Sequence, residues 1–92
     1  MKGEIFTAYP VILEDEAKEF VREAEQKKSW ISLPSADGFI CFRRKMCNYD
    51  GLYESEWVEY SDNSPFGMSS AQMADRVYTM CNKYGKEPFF TA

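Results

Sequence analysis

The residues best suited to chemistry sit in one stretch, Phe39 to Tyr60. It carries the chain's only run of three basic residues, Arg43-Arg44-Lys45, and the turn signal Asn48-Tyr49-Asp50-Gly51. Rings and acids then alternate: Tyr53, Glu54, Glu56, Trp57, Glu59, Tyr60. The chemistry this allows is recognition. Cations pair with phosphate or carboxylate, and rings stack on bases or fill pockets in a partner. Covalent chemistry is poorly provided for. Histidine is absent, which removes the commonest general base and metal ligand at neutral pH, and with it any Ser-His-acid or Cys-His arrangement. Neither G-x-x-x-x-G-K-[ST] nor G-x-G-x-x-G occurs, so no phosphate-cradling loop is signalled. Cys41, Cys47 and Cys81 form no Cys-x-x-Cys pair, and a zinc site would need carboxylates to complete it. The expectation is a protein with no catalytic residues, no metal and no other cofactor.

Several elements must position that stretch. Glu4 to Tyr9 is rich in β-branched and aromatic residues and predicts a short first strand, resuming through Val11-Ile12. Leu13, Ala17, Phe20, Val21 and Ala24 recur at helical spacing, predicting a helix over 14–28. Its acids (Glu14, Asp15, Glu16) at the start and Lys27-Lys28 at the end suit the helix dipole. Glu14 with Lys18 and Glu23 with Lys27 are spaced for ion pairs along the helix. Trp30 to Leu33 reads as a strand stopped by the turn Pro34 to Gly38. Residues 39–47 and 52–60 read as an antiparallel hairpin. A second helix over 70–84 has a capping box in Ser69 and Gln72 and a stop at Gly85. Its apolar stripe is Met73, Ala74, Val77, Cys81 and Tyr84, with Met80 at the edge. The tail from Glu87 would dock as an extended piece. The order β-α-β-β-β-α predicts one α+β domain over residues 1–92, a small antiparallel sheet of three to four strands with two α-helices on one face.

Two hairpin registers are open. A four-residue loop, Asn48 to Gly51, sets Lys45 opposite Glu54 and Arg43 opposite Glu56. A two-residue Asp50-Gly51 loop sets Lys45 opposite Glu56 and Arg43 opposite Val58. Opposite charges across a strand pair contribute roughly 0.2–1 kcal/mol each, which favours the first. In both, alternation gives the same two faces. Ile40, Phe42, Arg44 and Met46 share one with Tyr53, Ser55, Trp57 and Glu59, and this is the expected core side. Arg43, Lys45, Glu54 and Glu56 fall on the other, the expected wet side. Arg44 is the misfit, a charge on the apolar face, and for that reason the strongest single candidate for a contact outside the chain.

Composition supports a binding role. Aromatics make up 16% of 92 residues, more than a core this small can enclose, so several rings must lie partly exposed, as interface anchors do. The net charge of −4 speaks against general attraction to nucleic acid, but it is unevenly spread. Residues 38–51 carry a net +2, and residues 52–65 carry a net −4. Glu14, Asp15, Glu16, Glu19, Glu23 and Glu25 read mostly as the solvated face of the first helix. The chain opens without a signal-peptide pattern and has no membrane-length apolar run. Its unpaired cysteines suit a reducing compartment, so a cytoplasmic protein is expected.

In its size, its acidic helix Glu14 to Glu25 and its Phe39 to Tyr60 hairpin ahead of a capped helix, the chain resembles the small phage-encoded anti-CRISPR inhibitors, in particular those of type I effectors. The resemblance spans the chain and carries no signature motif. It implies stoichiometric inhibition in the host bacterial cytoplasm, by docking on CRISPR-Cas effector subunits and their guide RNA so that target DNA cannot bind. By that reading Glu14, Glu16, Glu19, Glu54 and Glu56 could occupy cationic DNA sites. Alternatively, Arg43, Arg44 and Lys45 could reach guide phosphates while Tyr49, Tyr53 and Trp57 anchor on protein. An accessory or adaptor subunit of a housekeeping complex, or a small direct RNA- or DNA-binding module, are the alternatives. No membrane partner and no small-molecule substrate is expected.

Overall fold

The computed structural model describes residues 10–49, 52–61 and 67–91, with backbone alone for 47–49 and 52–55. The predicted strand Glu4 to Tyr9 lies outside the described residues. Val11 and Ile12 are not strand; they form a bend whose Ile12 side chain is buried in the core.

Helix α1 spans Glu14–Lys27 and buries Ala17, Val21 and Ala24. Leu13, which spacing alone assigns to the stripe, is instead the exposed N-cap residue. Leucine offers no side-chain acceptor, so the cap is completed from one side only, by the Glu16 carboxylate accepting the Leu13 N–H at 2.8 Å. Glu23 and Lys27 pair at 2.6 Å, both half exposed, a contact worth tenths of a kcal/mol to about 1 kcal/mol. Helix α2 spans Ser70–Tyr84 with the full Ser69–Gln72 capping box and Gly85 at φ +67 as its left-handed stop. It buries Met73, Ala74, Val77 and Cys81.

Strands β1 (Trp30–Ser35), β2 (Gly38–Tyr49), β3 (Leu52–Glu59) and β4 (Phe89–Thr91) form one antiparallel sheet in the order β3-β2-β1-β4. The fold is therefore α+β with two helices against a four-stranded sheet. The described order is α-β-β-β-α-β, because the tail forms a strand of its own on the β1 edge. Strand β1 also runs through Pro34 to Ser35, where the sequence suggests a stop. Pairing with β4 ends at Ser32, so Pro34 lies where β1 is an edge, a place that tolerates its missing N–H.

The hairpin takes the register the charges disfavour. Lys45 pairs with Glu56, Arg43 with Val58 and Tyr49 with Leu52, leaving Asp50-Gly51 as the two connecting residues. A two-residue Asp-Gly connection matches the twist of its strands, and that outweighs one additional exposed ion pair. The faces follow the alternation. Ile31, Leu33, Phe42 and Trp57 meet the helices in the core. Met46 departs from the expected core side: it is 61% exposed. Pairing of β2 with β1 ends at Ile31↔Phe42, so beyond it the hairpin runs out as a two-stranded arm.

Polar pins hold the layers together. Asn82 of α2 accepts the N–H groups of Val11 at 2.6 Å and Ile12 at 3.2 Å and donates to the Ile12 carbonyl at 3.0 Å. The Glu25 carboxylate accepts the buried Trp57 indole N–H at 3.3 Å and the Ser70 hydroxyl, tying α1, β3 and α2 at one point. Glu25 is thus half buried rather than part of the solvated face. Beyond β3, Met68 exchanges backbone hydrogen bonds with Trp57 at 2.7 and 2.8 Å. This close approach needs Gly67, since a Cβ there would sit 2.7 Å from the Trp57 carbonyl oxygen and 2.7 Å from Val58 Cγ1.

Two substitutions test these pins in urea denaturation. Asn82→Ala strips three backbone groups of their partners and should lower stability by about 2–3 kcal/mol. Gly67→Ala should cost about 1–3 kcal/mol by prising Met68 from Trp57. Unchanged midpoints would show that neither contact is made.

Candidate docking surface

Alternation along the strands sends Trp30, Ser32 and Pro34 of β1, Phe39, Cys41, Arg43 and Lys45 of β2, Glu56 and Val58 of β3, and Phe89 and Thr91 of β4 to the face away from the helices. Among the described residues no helix or strand covers this outer face. Its side chains partly close it themselves. Phe39 and Phe89 stand on strands either side of β1 and meet edge to face, with centroids 5.0 Å apart. Beneath them Ser32 and Pro34 are buried, and the Ser32 hydroxyl is satisfied by the Thr91 hydroxyl at 2.7 Å. Trp30 and Tyr60, one on β1 and one just past the end of β3, meet across β2 with their rings tilted by 35°, also at 5.0 Å. Cys41 and Arg43 of β2, the strand this second bracket spans, are half buried.

The rings are roofs with wet outer sides. Phe39 is 48% exposed, Phe89 47% and Tyr60 54%. Two cations lie over them: Arg43 is 5.9 Å from the Tyr60 centroid, and the Lys86 ammonium is 5.6 Å from that of Phe39. Such contacts leave guanidinium and ammonium groups available to an anion while holding them at the ring faces. Lys45, opposite Glu56, adds a third cation to this face. The Glu56 carboxylate accepts the Gly67 N–H at 2.9 Å.

The structure divides the residues singled out in the sequence. Arg43, Lys45 and Glu56 share the outer face. Arg44 lies on the helix side but past the end of β1, exposed, where it lines a surface cavity of about 260 Å³ with Lys28, Ser29, Trp30 and Met46. Trp57 is a correction as an anchor: it is buried in the core with its indole N–H on Glu25, so its ring has no surface to offer. It sits on the apolar side of the hairpin, opposite Arg44, where the helices cover it. The backbones of Tyr49, Tyr53 and Glu54 belong to the arm, and their side chains lie outside the described residues. Reading the hairpin alone misses Trp30, Phe89 and Lys86 as members of one surface with Phe39 and Tyr60. The signal available was the period-two alternation of Trp30-Ile31-Ser32-Leu33 and the paired rings of the tail.

The acids of α1 face another way. Asp15, Glu16, Glu19 and Glu23 wall a cavity of about 450 Å³ floored by Val11 and Phe20. Among the described residues no three His, Cys, Asp or Glu side chains are grouped to hold a metal ion, and no helix is long and apolar enough to cross a membrane. No family model, curated protein or solved structure matches the chain.

Cys81, on the inner side of α2, is fully buried. Burial, and secondly the nearby Glu87 carboxylate, push its thiol up to about 11 from an ordinary 9.0. The folded protein thus holds the neutral thiol more firmly than the unfolded chain does. This contribution to stability is intact below pH 9 and is lost as pH rises towards 11. Cys81 should alkylate only on global unfolding, read by peptide mass spectrometry. Stability should fall more steeply between pH 9 and 11 in the native sequence than in Cys81→Ala; parallel slopes would contradict the assignment.

Proposed function

We propose that this chain is a non-enzymatic binding protein that docks through the outer face of its sheet and the adjoining root of the hairpin arm. The observation that carries the reading is the pair of half-exposed aromatic brackets, Phe39–Phe89 and Trp30–Tyr60, with Arg43 and Lys86 laid over them. Large rings held rigidly by neighbours, with cations at their edges, are the residue types that dominate binding energy at interfaces. They lose little conformational freedom on docking because they are already packed.

The resemblance to small phage-encoded inhibitors supplies the partner class. In this reading the protein works in the bacterial cytoplasm, seats itself on a type I CRISPR-Cas effector complex and blocks its binding to target DNA. The cationic hairpin root (Arg43, Arg44, Lys45) and the outer face meet the guide-bearing side of the effector, and the acidic helix α1 points away from it.

The test is target-duplex binding by a purified type I effector, with the protein added at increasing ratio. Wild-type protein should abolish the shifted band near one equivalent per site. Phe39→Ser/Phe89→Ser should weaken inhibition at least tenfold while keeping the wild-type circular dichroism spectrum. Arg43→Glu/Arg44→Glu/Lys45→Glu should remove it. Inhibition unchanged by the triple reversal would reduce the basic run to a structural role, and no inhibition at large excess of wild-type protein would sink the effector reading.

A further inference from the structure

The partner chemistry of the outer face can be narrowed, and this step rests on the docking reading above. We infer that the face takes an unpaired nucleic-acid strand, with bases stacked on the Phe39–Phe89 and Trp30–Tyr60 brackets and phosphates held by Arg43 and Lys86. Three features carry this.

The first is the placement of the rings. One bracket straddles β1 and the other straddles β2, so their centres are offset by about one strand spacing sideways (~4.8 Å). Along the strands they are offset by about two residues (~6.6 Å). Two platforms roughly 8 Å apart on a flat sheet are spaced for neighbouring or next-neighbouring bases. Stacking on sheet-borne aromatics is a general mode by which four-stranded sheets hold unpaired RNA. A duplex, with its bases already stacked on one another, cannot use them.

The second is where the charge sits. Arg43 and Lys86 each lie over a ring, 5.9 and 5.6 Å from its centroid, so a base that displaces the cation from the ring face keeps it within reach of its phosphate. A purely apolar protein partner would leave both cations to be desolvated without an anion.

The third concerns the net charge of −4, which looks prohibitive. The exposed acids Glu14, Asp15, Glu16, Glu19 and Glu23 are carried by α1, on the opposite side of the sheet. A helix alone is about 10 Å across, while charges are screened over about 8 Å at physiological salt. The outer face therefore presents its own sign. The described acid on it, Glu56, already accepts a backbone N–H.

Fluorescence anisotropy of the full chain against a labelled single-stranded oligouridylate of roughly ten nucleotides, at low salt, tests the inference. The single strand should bind and the matching duplex should bind at least tenfold more weakly. Half-buried Trp30 should be quenched on binding, while Trp57 emission stays. Phe39→Ala and Phe89→Ala should each weaken binding roughly five- to a hundredfold. Lys86→Gln should weaken it and flatten the slope of log affinity against log salt by about 0.7. Tyr78→Ala, an exposed ring on α2, should change nothing. Should Phe39→Ala unfold the protein, Lys86→Gln alone decides through the salt slope. No binding of the single strand at low salt, or equal binding of the duplex, overturns the inference. If the effector is still inhibited in that case, the docking reading stands with a protein surface as occupant. If the oligouridylate binds and the effector is not inhibited, the inference stands without that partner class.

Discussion

One constraint organises this protein: two helices cover one face of a four-stranded sheet, and among the described residues no helix or strand covers the other. A sheet face made only of apolar residues would invite association, and one made only of charges would leave its strands unsupported. The sequence resolves this with small residues along the middle of the face, Ser32, Pro34 and Cys41, roofed by rings that lean in from neighbouring strands. Cross-strand aromatic contacts of this sort contribute of order a kcal/mol each. The outer face is thereby stiffened while its rings stay half exposed, a consequence of how the sheet is stabilised.

The helix side is built on the opposite logic. Its core is apolar and fully enclosed, and the few polar groups within it are matched. Trp57 is the largest side chain there, and its N–H is met by Glu25, a carboxylate that also receives Ser70 from the start of α2. Asn82 fastens the segment before α1 to the last turn of α2. On the other edge Phe20 of α1 stacks on Phe90 with centroids 4.4 Å apart, which seats β4 against β1. Because Phe90 is held from the helix side, Phe89 is forced to the outer side, where it completes the bracket with Phe39. The core thus places one of the rings on which the outer face depends.

What could be read in advance follows the range of the interactions involved. Both helices were legible because their signals are local: apolar residues at helical spacing, the Ser69–Gln72 box and the stop at Gly85. The hairpin was legible from alternation and from Asp50-Gly51. Its register was not, because the charge pattern that separates the two alternatives is worth less than the geometry of the turn. Trp57 was placed on the correct face, yet as an anchor it belonged to the core. Its burial comes from the two helices and from the strand-like return at Met68, none of them part of the hairpin. The outer face was the least legible element. Trp30, Phe39, Tyr60 and Phe89 come from four separate segments, and only the strand order β3-β2-β1-β4 brings them together.

The arm and the face are connected through β2. Phe39 stands at its start, under the tail ring; Arg43 stands where β1 leaves off; Arg44 and Lys45 follow as the strand becomes half of a two-stranded arm. Their side chains alternate, so Arg43 and Lys45 extend the cationic outer face while Arg44 turns to the groove beside Lys28 and Trp30. Trp30 belongs to both places, since its ring closes the bracket with Tyr60 and the residue also lines that groove. The basic run consequently gains its meaning from its position at the junction of face and arm. Distributed along a helix, the same three residues would be an ordinary solvated patch; here alternation divides them between two sides of one aromatic residue.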